Sequence, residues 1–286
     1  MIVQGRDLGE HELGQIRQLI ACNRHWSRWR ISRALALQWN WRNGAGVIKD
    51  MAARTLLVKL DQQGWIQLPP RRRAPINRMR VGARSRIWDE TPVEASLKDL
   101  GELQVKEIST DAQERSRFAS ALAQFHYLGY GGSVGENLQY TITDAEDRLL
   151  GCALFGAAAW KCADRDGFIS WNPEQRKRGL SLIAGNSRFL ILPWVRVPGL
   201  GSWILGSLAR RIAGDWQRKY GHRVVLLESF VQQDRFAGTV YRAANWLKVG
   251  VTQGRTRQDR DRSIREPIKG IFVYPLQPNF REVLQA

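Results

Sequence analysis

A chain of 286 residues with 44 Lys and Arg against 27 Asp and Glu has a formal net charge of +17, which points to a polyanionic partner. The excess is uneven: residues 1–90 hold 17 basic against 7 acidic side chains, and the other 196 hold 27 against 20, so nucleic acid, DNA before RNA, is the expected partner. The longest apolar run, Leu149–Trp160, is too short and too rich in Gly and Ala for a membrane span, and the first residues lack the basic-then-apolar order of a signal peptide.

Three cysteines, Cys22, Cys152 and Cys162, stand far apart without a CxxC pair, and four histidines are scattered. That spacing argues against zinc or a disulfide framework and suits a reducing, cytoplasmic setting; no metal and no membrane contact are expected.

Residues 8–68 read as a small helical unit. Leu8, Leu13, Ile16, Leu19 and Ile20 recur at helical spacing. Ser27 is a candidate N-cap for a second helix with apolar Ile31, Leu35 and Leu37. After a turn at Asn43–Gly46, a third helix has Met51, Leu56, Leu57 and Leu60 facing inward and Lys49, Arg54 and Lys59 outside. Gly64 ends it, and WIQLPPRRR reads as a strand leading into a basic arm. This order is that of a winged helix, in which the third helix enters the major groove and the wing touches phosphate. A three-helix bundle used for protein contacts is the alternative. On the DNA-binding reading Arg28, Lys49 and Arg54 on the helices, with Arg71, Arg72 and Arg73 on the arm, hold DNA. The domain expectation is therefore a winged-helix-like domain over 1–75, a linker over 76–100 rich in proline and poor in large aliphatics, and a second domain over 101–286.

In the second domain, Asp111–Tyr127 reads as a helix ending in the glycine-rich loop HYLGYGG. NLQYTIT and RLLGCALFG around DAED read as a hairpin, and residues 161–187 as an irregular polar insertion. Then come a strand at Ser187–Val195, a glycine turn, the amphipathic helix LGSWILGSLARRIAGDW, a strand at His222–Phe230, and a short helix running into a third strand. Gly199 and Gly201 let backbone approach an anion closely where a helix N-terminus offers unpaired N–H groups, which makes this turn a candidate pyrophosphate cradle.

Trp171, in the polar insertion among Arg165, Arg176, Lys177 and Arg178, is a candidate exposed base-stacking residue. GRTRQDRDRSIRE, with Arg255 and Arg257, could follow a phosphate backbone or pair within itself. His126 in its loop is a candidate general base or phosphate contact, or a histidine bonded to local backbone. Asp164, Asp166, Glu174 and Glu228 could form a carboxylate set for two-metal nuclease chemistry, or loop and ion-pair groups.

Three segments together resemble the Gcn5-related N-acetyltransferase (GNAT) fold over the C-terminal part of the chain. They are Arg196-Val-Pro-Gly199-Leu-Gly201 after a strand, the hairpin LQYTITDAEDRLLGCALFG, and Ala237-Gly-Thr-Val-Tyr241-Arg-Ala-Ala-Asn245-Trp246. The resemblance implies an α+β or α/β domain with a mixed sheet flanked by helices, in which two parallel strands splay to admit an acyl thioester. It further implies that Arg196, Gly199, Leu200, Gly201 and Ser202 hold an acyl-CoA or similar nucleotide-type donor and that Tyr241 protonates the leaving thiolate. Glu228 is its first candidate for the base, with Glu136 or His126 behind it. Pro198, which lacks an N–H, and Asn245 in place of a glycine depart from the pattern.

Longer stretches resemble the Druantia anti-phage system protein DruA family, among them KDMAARTLLVKLDQQGWIQLPPRRR, HYLGYGGSVGENLQY and LESFVQQDRFAGTVYRAANW. That resemblance implies a role in phage defence or transposon biology, with other defence or transposition proteins as partners. The leading expectation is a nucleic-acid-directed transferase acting on a base or another amine. Its rivals are a non-catalytic DNA-binding accessory and a metal-dependent nuclease.

Overall fold

The computed structural model describes residues 2–3, 6–42, 47–70, 86–254 and 266–286. The expected turn at 43–46, Arg71, Arg72 and Arg73 of the basic arm, and Arg255 and Arg257 lie outside the described residues. The chain divides into two units, Met1–Asn77 and Arg78–Ala286.

The first unit opens with the short pair β1 (Ile2–Val3) and β2 (Arg6–Asp7) and continues with α1 (Glu10–Cys22), α2 (Arg28–Gln38) and α3 (Asp50–Gln62). Each helix starts where local chemistry satisfies its free N–H groups or dipole. The Gly9 N–H donates to the Glu12 carboxylate (2.8 Å) at the start of α1, the Ser27 hydroxyl accepts from the Arg30 N–H on α2, and Asp50 stands in the first turn of α3. Leu13 and Ile16 of α1, Ile31 and Leu35 of α2, and Leu56, Leu57 and Leu60 of α3 close one core. Met51, expected inside, is exposed, as is Leu37.

Trp65–Pro70 is bend and coil rather than the expected strand. Its backbone is satisfied by side chains instead of a ladder: Arg17 Nε donates to the Trp65 carbonyl (3.1 Å), the Leu68 N–H to Asp61 (2.9 Å), and Arg28 Nε to the Pro69 carbonyl (2.7 Å).

The second unit is built on one seven-stranded sheet. In chain order it contains β3 (Val93–Glu94), β4 (Gln104–Glu107), α4 (Ala112–Phe125), β5 (Asn137–Thr143), β6 (Leu149–Ala157), α5 (Ala163–Ile169) and α6 (Pro173–Gly179). There follow β7 (Ile183–Ile191), β8 (Val195–Arg196), α7 (Leu200–Tyr220), β9 (Leu226–Gln232), α8 (Thr239–Ala243), β10 (Leu247–Val251), β11 (Lys269–Pro275) and α9 (Phe280–Gln285). The sheet order is β10-β11-β9-β7-β6-β5-β4, antiparallel throughout except for the parallel pair β7–β9. A parallel pair needs a long crossover, and the 21-residue α7 supplies it. The hairpin β5–β6 forms as expected, its turn closed by buried Asp144, which accepts from the Glu146 and Arg148 N–H groups.

Two expectations are corrected. Part of the linker belongs to this unit: Val93 and Leu100 are in its core, and β3 pairs with β8. The polar insertion holds two ordered helices and the start of β7; Asn172 caps α6 with a capping box and Pro173 opens its first turn.

Candidate functional site

The parallel pairing of β7 and β9 runs only from Ile183↔Leu226 to Asn186↔Ser229. Beyond it the strands part, because each is held on its far side: β7 by β6 as far as Ile191, and β9 by β11 along its whole length. A cleft of about 540 Å³ opens in the gap. Its walls are Ser187 and Phe189–Ile191 of β7 and Ser229–Val231 of β9, with α8 and its preceding loop on one side and Phe125–Leu128 at the end of α4 on the other. The inner edges of the parted strands have backbone groups that the β7–β9 ladder does not use.

Asn186, Ser229 and Tyr241 meet at the floor. Asn186 is buried, and its Nδ2 donates to the Leu154 and Arg188 carbonyls (both 3.1 Å). Those bonds fix the amide so that its Oδ1 accepts from the Tyr241 hydroxyl at 2.7 Å. Ser229 Oγ donates to the Asn186 carbonyl (3.3 Å). Burial pushes the Tyr241 pKa up to about 12, so the phenol is neutral at ordinary pH. Tyr241 thus lies on the cleft.

Glu228 does not. Strand alternation turns it to the face opposite Ser229, and it is absent from the cleft wall. It is fully buried and accepts from the Ala159 N–H (2.6 Å) and from Arg165 Nη1 (2.7 Å), itself fully buried. Burial alone would lower the Arg165 pKa, but Glu228 and Asp166 beside it raise it, so Arg165 stays a cation. The pair ties α5 to β9. Asp166 also meets Arg176 (3.3 Å), and Asp164 accepts from the Val251 N–H (2.8 Å). These carboxylates are committed to arginines and backbone, and among the described residues no group of three His, Cys, Asp or Glu is placed to hold a metal.

His126 lies on the cleft wall with Tyr127. Its Nδ1 accepts from the Leu128 N–H (3.2 Å), which puts the proton of the neutral ring on Nε2. Burial, helped by Arg188, lowers its pKa to about 4, so the ring offers a donor rather than a base near neutrality. Glu136 pairs with His222 (3.0 Å) and is not on the cleft wall.

Gly199 begins α7 with φ +80°, a conformation that glycine adopts freely. A side chain on Gly201 would come within 2.8 Å of Val240, so this glycine admits α8. Leu200 is core, and Arg196 leans on Glu94 (3.0 Å). Gly199 and Ser202 line a second groove of about 360 Å³ with Arg210 and Asn245. That groove fits an anionic group at a helix N-terminus, and the parted strands fit an extended amide-bearing arm.

Trp171 is buried at 8% exposure, packed with Ile169, Phe280 and Leu284 under the Arg165 guanidinium, so it is not a stacking surface. In the first unit Lys49 is exposed and Arg54 half-buried. Arg28 is held internally by Asp61 (3.5 Å) as well as Pro69.

Sequence reasoning missed Asn186 and Ser229. Starting the strand at Ser187 leaves Asn186 in the supposed insertion, although an asparagine inside the run IAGNSRFLI marks a buried polar position.

The family described as Druantia protein DruA matches residues 83–269. Among solved structures, spermidine N-acetyltransferase from Vibrio cholerae with CoA and spermine is similar at 8% identity and TM-score 0.40, over 61% of this chain and 95% of that one. The Vibrio cholerae spermidine/spermine enzyme with manganese ions gives 8% and 0.38 over 61% and 93%. A dodecameric intermediate-state form gives 9% and 0.32 over 49% and 65%. No curated protein matches the sequence. No described helix is long and apolar enough to cross a membrane.

Proposed function

The chain belongs to the Druantia protein DruA family, and within it we propose a nucleic-acid-directed group transferase whose reacting centre is the cleft between β7 and β9. The observation that carries this reading is the parting of two parallel strands over a floor of Tyr241, Asn186 and Ser229. The backbone edges beyond Asn186 that the β7–β9 ladder leaves would hold the amide arm of a CoA-type thioester as an added strand. Gly199, Ser202 and Arg210 would take its phosphates. Such a donor supplies an acyl group activated as a thioester.

Tyr241 holds its proton at neutral pH and would give it to the departing thiolate by turning its O–H away from Asn186, the phenolate taking back the proton that the acceptor loses. Asn186 fixes where that oxygen stands. No Asp or Glu lines the cleft among the described residues, and His126 presents Nε2–H, so the site suits an acceptor that enters uncharged. The basic first unit, with Lys49 exposed, serves as the nucleic-acid hold.

The test is Tyr241→Phe. Loss of the proton donor lowers turnover by about 100-fold or more while DNA affinity, read by anisotropy, stays put. Unchanged turnover in that variant removes Tyr241 from the chemistry.

A further inference from the structure

The cleft mouth has features that neither the donor arm nor Tyr241 uses. Three rings gather there: His126 and Tyr127 lie 4.9 Å apart at 31°, and Tyr127 and Phe236 lie 5.1 Å apart at 58°. The Arg235 guanidinium sits 5.0 Å over the Tyr127 ring. Phe236 is 46% exposed and Leu128 49%. Large apolar rings at an open cleft mouth, with a guanidinium over one of them, are costly to leave in water unless something covers them. All of these residues line the cleft itself, and Arg188 acts on His126 and Tyr127 from nearby.

We propose that this mouth is a seat for one unpaired nucleobase, stacked against Tyr127 and Phe236 with Arg235 beside it, which makes single-stranded nucleic acid the acceptor class. The proposal rests on the transferase reading of the same cleft. Charge decides between acceptors. A lysine or polyamine ammonium would meet Arg235 and Arg188 with no carboxylate on the cleft wall; Asp234, whose charge also reaches Tyr127, is one acid against these two arginines and accepts from Gln232 Nε2 (3.2 Å). A nucleobase is planar, neutral and polar-edged, its phosphates suit the arginines, and the Nε2–H of His126 offers its edge a donor.

The experiment uses the full chain and a short oligothymidylate with one central 2-aminopurine, whose fluorescence falls when the base stacks. Wild type quenches the probe. Tyr127→Ala and Phe236→Ala lose the quenching and bind the oligonucleotide about 5- to 150-fold more weakly, the usual worth of one stacked base, while Phe236→Trp retains quenching. A probe that wild type leaves bright overturns the proposal, as does quenching that survives both alanine variants; a peptide lysine as true acceptor would give the first of these. Calorimetry of acetyl-CoA on the same proteins separates the two readings. Donor binding without base quenching overturns the seat and leaves the transferase standing. Quenching that needs Tyr127 and Phe236 in a protein that takes no donor upholds the seat and overturns the transferase.

Discussion

Replacing Glu228 by alanine separates a structural carboxylate from a catalytic one. The substitution leaves the Arg165 guanidinium buried without its nearest partner and strips the Ala159 N–H of its acceptor. Removing one member of a buried pair costs about 3–5 kcal/mol. Here Asp166 (2.6 Å) and the Ala159 carbonyl (2.8 Å) still hold Arg165, so the lower end, about 3 kcal/mol, applies. For a unit the size of Arg78–Ala286 that is a fall of about 6–12 °C in melting temperature. Near-ultraviolet circular dichroism on the full chain reads it through the tryptophans. Glu228→Gln keeps an acceptor for Ala159 and falls less. A melting temperature within about 2 °C of wild type, together with abolished transfer at a temperature where the fold is intact, would refute the reasoning and return Glu228 to the chemistry.

Other substitutions probe the remaining claims. Trp171→Ala opens a cavity beside Ile169 and Phe280; it should cost about 3–5 kcal/mol in denaturant unfolding and leave DNA affinity unchanged. Gly238→Ala puts a methyl 2.6 Å from the Phe272 ring at φ +72°, so the chain should melt well below wild type and α8 should lose hydrogen-exchange protection. His126 is depressed from 6.5 to about 4 in the fold. Its contribution to stability is therefore full above pH 6.5 and drains as pH falls toward 4. His126→Gln should flatten that part of the stability–pH curve, and an NMR-detected His126 titration near 6.5 would contradict the burial argument.

Much of the second unit is legible in the sequence because its signals are local. The hairpin around DAED, the cap at Asp111, the glycine start of α7 and the long amphipathic face from Leu200 to Trp216 all follow from spacing and caps. Tyr241 is legible as a cleft residue through the segment that carries it. What fails to show depends on partners distant in sequence. Glu228 reads as a free carboxylate until Arg165, 63 residues away, is folded against it. Trp171 reads as exposed because its neighbours are charged, yet its covering residues, Phe280 and Leu284, come from the last helix. Asn186 gains its role only when Tyr241 arrives from 55 residues on. The expected strand at Trp65–Pro70 fails for the complementary reason: Arg17, Arg28 and Asp61 supply its backbone with side-chain partners.

Hydrogen exchange on the full chain, with and without acetyl-CoA, tests the central claim most directly. The account predicts slowed exchange in peptides covering Ser187–Ile191 and Ser229–Val231, the parted edges of β7 and β9, as the donor arm pairs with backbone groups that the β7–β9 ladder does not use. Unchanged exchange along both edges at saturating thioester would mean that the gap between the strands is not a donor site.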